Sequence, residues 1–125
     1  MSKRALVIED NELVRETLKA LLEFLNFEVI TAENGEIALE KFVSQLNSNN
    51  FFDVILVDLV MPGMSGKEVI QELKKYDPNV NALISSGYFN DSSIVEYEKL
   101  GFKGVLNKPY TLEELKEVLK KLNLI

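Results

Sequence analysis

The chain has 125 residues, a formal net charge of -6 and 46% hydrophobic residues, which suits one domain, 1–125, with one core. The negative charge argues against a nucleic-acid-binding surface, and the lack of His and Cys excludes imidazole and thiolate chemistry on this chain. No apolar run is long enough to span a bilayer and no secretory signal pattern is present, so we expect a cytoplasmic protein that does not bind membranes.

Five short apolar runs alternate with five helical patterns along the chain. The runs predict strands at residues 5–9, 27–32, 53–58, 80–86 and 104–108. Three of these runs are nearly continuous in Val, Ile and Leu, which is typical of strands buried on both faces of a parallel sheet.

The helical patterns have clear faces and ends. Capping boxes at Ser65–Glu68 and Thr111–Glu114 predict the starts of the third and fifth helices, and Gly101 is expected to follow the end of the fourth. The first and last helices each have one apolar face, formed by Val14, Leu18, Leu21, Leu22 and Leu25 and by Leu112, Leu115, Val118, Leu119 and Leu122.

This alternation predicts an α/β, doubly wound (βα)5 domain of flavodoxin-like type, with a five-stranded parallel sheet in order 2-1-3-4-5 and helices on both faces. In that order, ligands bind at the carboxyl ends of strands 1 and 3. Glu9 and Asp10 follow strand 1, and Asp58 ends strand 3. The topology therefore predicts that three acids share one crevice.

Each of these acids has an ordinary explanation when taken alone. Asp10, for example, could cap the first helix together with Asn11. Three neighbouring carboxylates would repel one another, however, and a cluster of oxygen ligands suits a hard divalent cation. We therefore expect Glu9, Asp10 and Asp58 to bind Mg²⁺, with Mn²⁺ as the alternative ion.

Two further strand ends reach the same edge of the predicted sheet. Ser86 ends strand 4 beside Gly87, which leaves room for a bulky group, and Lys108 ends strand 5. Ser86 could be a turn residue and Lys108 a surface charge. Together with the acids and a metal, a hydroxyl and an ammonium group suit a bound phosphoryl group.

These residues resemble the receiver domain of two-component response regulators. The markers stand in the family's order over most of the chain: Glu9-Asp10, Asp58 with Met61-Pro62-Gly63 and Gly66, Ser86-Gly87, and Lys108-Pro109.

The resemblance implies a role for each marker. Asp58 is implied as the phosphoacceptor, and the backbone carbonyl of Val60 as a further metal ligand. Ser86 and Lys108 are implied to contact the phosphoryl group, and the Lys108-Pro109 bond is implied to be cis. The donor would be a sensor histidine kinase or a histidine phosphotransfer protein. Apart from its own phosphorylation and dephosphorylation, no enzymatic activity is implied.

The family also implies an output surface formed by the fourth helix, the fifth strand and the fifth helix, which binds a downstream protein. Many members carry a switching aromatic residue on strand 5, where this chain has Val105. Tyr88 or Tyr110 could take over part of that role, or each could simply pack. The chain stops after the last helix, so we expect no attached output domain.

One alternative function stays open, a receiver-like interaction module that is not phosphorylated. Two other classes of protein need residues that this chain lacks. A small phosphatase would need an acid two positions after Asp58, where Val60 stands. A flavin-binding protein would need a phosphate loop after strand 1, where only Asn11 is a small polar residue.

Overall fold

The computed structural model describes residues 3–59, 61–86, 91–107 and 110–125, without the side chains of residues 86 and 91–95. Within that part of the chain, no helix is long and apolar enough to cross a bilayer. The elements are β1 Lys3–Ile8, α1 Glu12–Phe24, β2 Phe27–Ala32, α2 Gly35–Asn47, β3 Val54–Asp58, α3 Gly66–Tyr76, β4 Ala82–Ser86, α4 Asp91–Leu100, β5 Phe102–Asn107 and α5 Leu112–Lys121.

The five strands form one sheet in the order β2-β1-β3-β4-β5, and every neighbouring pair is parallel. This confirms the predicted fold. The register pairs Ile8 with Val57 and Asp58 with Ser85. The carboxyl ends of β1, β3 and β4 therefore meet at one edge of the sheet.

The core has two layers because side chains alternate across the sheet. Ile55 and Val57 of β3 pack in the layer under α2, α3 and α4. Val54 and Leu56 pack in the layer under α1 and α5, where the predicted apolar faces of these two helices lie. Asp58 follows the same alternation, so its side chain leaves β3 on the α1/α5 side.

Side-chain caps fix where the helices begin. Asn11, rather than Asp10, caps α1, and its side chain accepts a hydrogen bond from the amide of Val14. The capping box at Ser65–Glu68 is confirmed, and Thr111 accepts a hydrogen bond from the Glu114 amide. As predicted, α4 ends at Leu100 and is followed by Gly101, which has a φ of 108°.

Candidate functional site

The structure brings three acids together at the carboxyl edge of the sheet. Glu9, Asp10 and Asp58 each place one carboxylate oxygen within 4.8 Å of the other two. Glu9 is 1% exposed and Asp58 is 6% exposed, whereas Asp10 is exposed to solvent. Two buried acids and one exposed acid thus form a cluster with an open side.

Glu9 is held in this cluster by contacts at both ends of the residue. Its amide donates to the carbonyl of Ala32 over 3.0 Å, which extends the β1–β2 ladder by one residue. Its carboxylate accepts from the amide of Asn11 over 3.2 Å. The Asn11 amide thus holds the Glu9 carboxylate at the start of α1.

Arg15 fixes the chain that carries Glu9 and Asp10. Its guanidinium Nη1 donates to the Glu9 carbonyl over 3.0 Å and to the Asp10 carbonyl over 3.4 Å. Arg15 lies on α1 outside the predicted apolar face of that helix. This contact depends on the conformation of the loop before α1, so no local sequence pattern predicts it.

Asp58 is positioned by the close packing of α3 on its backbone. The amide of Gly66 donates to the Leu59 carbonyl over 3.2 Å. A Cβ atom on Gly66 would lie 2.9 Å from the carbonyl oxygen of Asp58 and 3.0 Å from the Cα of Leu59. Only Gly lets the first turn of α3 approach the end of β3 so closely.

Replacing Gly66 with Ala should therefore destabilise the domain by roughly 1–2 kcal/mol. Overpacking costs about 1–3 kcal/mol, and the better helix propensity of Ala returns up to about 1 kcal/mol. Urea denaturation measures the difference. The control is Gly104→Ala, whose new methyl group would meet the side-chain ends of Leu83 and Val118 at 3.1 and 3.4 Å. These side chains can shift, so equal losses from the two substitutions would contradict the prediction.

The chain after Asp58 turns sharply and packs on α2. Gly63 adopts a φ of 80°, a value that favours Gly. Met64 then lies against the start of α2, where a Cβ on Gly35 would come within 2.8 Å of the Met64 Cβ. After Gly63 the chain therefore packs onto the start of α2.

The remaining predicted contacts lie partly outside the described residues. Ser86 ends β4 at the same sheet edge as Asp58, but its side chain is not described. Val60, Gly87, Lys108 and Pro109 fall outside the described ranges.

Ser85 and Tyr110 add a polar contact that sequence reasoning missed. Ser85 is 2% exposed, and its hydroxyl forms a hydrogen bond with the hydroxyl of Tyr110. Burial raises the pKa of Tyr110 above its usual value, and the charges of Glu9 and Asp58 raise this pKa further. The Tyr110 hydroxyl therefore stays neutral within electrostatic reach of the acids.

Val105 is half-buried on β5. It lines a small pocket against α4 together with Ile84, Tyr97 and Phe102, and the rings of Tyr97 and Phe102 meet edge to face at 6.0 Å between centroids. Tyr88, the other aromatic residue predicted near the site, lies outside the described ranges. Among the described residues here, the aromatic contact joins half-buried Tyr97 of α4 to buried Phe102 at the start of β5.

The donor set fits a hard divalent cation. All three clustered ligands are carboxylates. Hard ions such as Ca²⁺ and Mg²⁺ prefer these oxygen ligands, whereas soft metals prefer sulfur ligands. Burial of Glu9 and Asp58 beside a third acid makes a neutralising cation favourable. The cluster can therefore bind a metal ion at the open edge of a rigid sheet.

Known proteins resemble this chain in sequence and in fold. A family model described as the response regulator receiver domain matches residues 5–120. The chemotaxis protein CheY of Thermotoga maritima is 32% identical over 124 residues, which cover 98% of this chain and 99% of that protein. A cyclic di-GMP phosphodiesterase of the same organism is 35% identical over 111 residues, which cover 89% of this chain but only 28% of that protein.

A solved structure gives the same result. The response regulator protein TrrA of Thermotoga maritima, in complex with Mg²⁺ and BeF, superimposes with a TM-score of 0.81 and is 35% identical. The match covers 96% of this chain and 98% of that one. The chain belongs to the response regulator receiver domain family.

Proposed function

We propose that Asp58 is the phosphoacceptor of this receiver domain. The observation that carries the proposal is the convergence of three carboxylates within 4.8 Å at the end of the buried strand β3. An oxygen of the Asp58 carboxylate forms a bond to phosphorus as the bond from phosphorus to the imidazole nitrogen of a partner's phosphohistidine breaks. The imidazole keeps the electron pair and takes up a proton.

The surroundings of the three acids favour Asp58 over the other two. The carboxylate of Glu9 is already engaged by the Asn11 amide, and Asp10 is exposed on the loop before α1. Asp58 ends a strand whose residues are all buried, and α3 packs on its backbone at Gly66. A nucleophile fixed in this way meets the donor at one distance and orientation, which is the main protein contribution to phosphoryl transfer.

Glu9, Asp10 and Asp58, together with the backbone carbonyl of Val60, would hold Mg²⁺, and the same oxygen ligands accept Mn²⁺. A bound Mg²⁺ supplies positive charge that neutralises the oxygens of the transferring phosphoryl group. Glu9 and Asp10 would act as ligands, on a loop that Arg15 and the start of α1 hold in place.

Ser86 and Lys108 would contact the phosphoryl group on Asp58, with Ser86 donating a hydrogen bond and Lys108 supplying an ammonium group. Support comes from the position of Ser86 at the end of β4, the strand next to β3, and from the place of Lys108 in the sequence directly after β5. Both roles rest otherwise on the family pattern.

The partners that we propose are a sensor histidine kinase or histidine phosphotransfer protein, and a downstream protein that binds the surface of α4, β5 and α5. Because position 105 is Val, a change in this surface cannot depend on rotation of an aromatic residue at that strand position. A cytoplasmic location, the absence of direct nucleic-acid binding and the lack of enzymatic activity on other substrates stay predictions.

Phosphorylation by a small donor tests the proposal without a known kinase. Incubation with acetyl phosphate and Mg²⁺ should add one phosphoryl group to the chain, and EDTA should prevent the addition because the acids then lack a neutralising cation. Intact-mass spectrometry follows the gain, and peptide mapping locates it. If neither acetyl phosphate nor a histidine kinase adds a phosphoryl group, the chain is instead the receiver-like interaction module that the sequence left open.

A further inference from the structure

A buried hydroxyl pair lies beside the acid cluster and has no part in the chemistry described so far. Ser85 is the residue of β4 that pairs with Asp58 in the sheet register. Its side chain leaves β4 on the same side as that of Leu83, in the layer under α1 and α5. The side chain of Asp58 lies on this side of the sheet as well, so Ser85 and Asp58 are direct neighbours on the adjacent strands β4 and β3.

Tyr110 reaches this position from the segment between β5 and α5. It directly precedes the cap of α5 at Thr111, and its half-buried ring packs against the α1/α5 layer of the core. The hydrogen bond between the Ser85 and Tyr110 hydroxyls therefore joins the end of β4 to the segment between β5 and α5. Lys108 stands two positions before Tyr110 in that segment.

We propose that the Ser85–Tyr110 hydrogen bond is a positioning contact for phosphoryl transfer, which fixes Tyr110, two positions after Lys108 in the sequence, against the strand beside Asp58. This inference rests on the function proposed above and adds two residues to its machinery. Neither residue touches the phosphoryl group, and both act through the place of the segment between β5 and α5.

The physical reason is the difference between apolar and polar contacts. Packing of the Tyr110 ring in the core is non-directional and permits small sliding movements. A hydrogen bond fixes distance and direction, and leaving one of its buried partners without the other costs more than removing both. The pair thus sets the register of the β5–α5 segment on a rigid strand, and reacting groups that are misplaced by even an ångström react more slowly.

The electrostatic surroundings support this position of the hydroxyl. The hydrogen bond to Ser85, the register partner of Asp58, places the Tyr110 hydroxyl beside the strand end that carries the cluster, and Glu9 and Asp58 both raise the pKa of Tyr110. A neutral hydroxyl at that point adds no charge to a site that already holds three carboxylates. Its contribution is therefore positional.

The test uses a double-mutant cycle with two readouts. Tyr110→Phe, Ser85→Ala and the double variant are each compared with the unchanged chain for melting temperature and for the rate of phosphorylation by acetyl phosphate with Mg²⁺. Each single variant should melt lower, because one buried hydroxyl loses its partner, and should react about fivefold to tenfold more slowly. The double variant should regain most of the melting temperature, because neither hydroxyl remains, yet stay as slow as the single variants.

Tyr76→Phe is the matched control. Tyr76 lies at the far end of α3 and is 52% exposed, so the same chemical change there should alter neither readout. A double variant that regains the rate together with the melting temperature would show a merely structural contact and overturn the proposal, as would Tyr110→Phe reacting at the unchanged rate. If the unchanged chain gains no phosphoryl group, the proposed function itself fails and the inference fails with it.

Discussion

Replacing Asp58 with Asn is expected to abolish phosphorylation by acetyl phosphate and Mg²⁺. A carboxamide has nearly the same shape as a carboxylate but is neutral, and it lacks the nucleophilic oxygen that attacks phosphorus. The variant should fold, because β3 and its packing against α3 are unchanged. It should also melt higher than the unchanged chain in EDTA, because one of three mutually repelling charges is gone. Intact-mass spectrometry and thermal melting measure the two effects.

Asp53→Asn provides a matched control at the other end of β3, directly before the strand begins. Asp53 precedes β3 at the opposite edge of the sheet, and its carboxylate accepts a hydrogen bond from the Arg4 amide over 2.7 Å. The Asn side chain can still accept this bond through its carbonyl oxygen. Asp53→Asn should therefore gain one phosphoryl group at the normal rate. A gain of equal size in Asp58→Asn would identify a different acceptor.

The fold could be predicted because its signals are local and repeated. Apolar runs of strand length, alternating with amphipathic helices, leave few arrangements that bury both faces of a parallel sheet. The strand order then placed Glu9, Asp10 and Asp58 at one edge before any contact was known, and the structure brings them together. The acid cluster is thus predicted from the strand order, because no acidic residue taken alone indicates it.

Strand boundaries were predicted less well, for identifiable reasons. β1 begins at Lys3 and β5 at Phe102, two residues before the predicted starts. Lys3 pairs with Phe27 of β2 despite its charge, because Lys3 is the first residue of β1 and its side chain stays exposed. Gly104 looked like the start of a run, but it lies inside β5 opposite Leu83. A Gly there accommodates the side chains of Leu83 and Val118.

The contacts that tune the site could not be predicted, since they depend on tertiary packing. Gly66 was visible as a family marker, but its close approach to the Asp58 backbone depends on the angle at which α3 meets the sheet. Ser85 beside Tyr110 likewise joins residues 25 positions apart. A hydroxyl inside an apolar strand is a weak sequence signal of such a buried partner.

Mg²⁺ is expected to stabilise the domain, and Asp10→Asn is expected to remove most of this effect. An ion that binds only the folded state raises the free energy of unfolding by about 2.7 kcal/mol at roughly one hundred times its Kd. The stabilisation depends on the complete set of carboxylates, to which Asp10 contributes the exposed member. In EDTA the order should reverse, because Asp10→Asn has less repulsion between acids and should then melt above the unchanged chain.

Urea denaturation in Mg²⁺ and in EDTA gives the free energies of unfolding of the unchanged chain and of Asp10→Asn in both solutions. These four values show whether the order of stability reverses. Asp77→Asn serves as the control. Asp77 is the C-cap of α3 and lies beside Asn50 and Phe52, near the opposite edge of the sheet. An Asn at this position can still accept the hydrogen bond from the Asn79 amide. This control should show the full Mg²⁺ effect. Equal Mg²⁺ effects in Asp10→Asn and in the unchanged chain would place the ion elsewhere. A reversed order of stability in EDTA distinguishes the loss of a metal ligand from general destabilisation, because a substitution that merely weakened the fold would lower stability in both solutions.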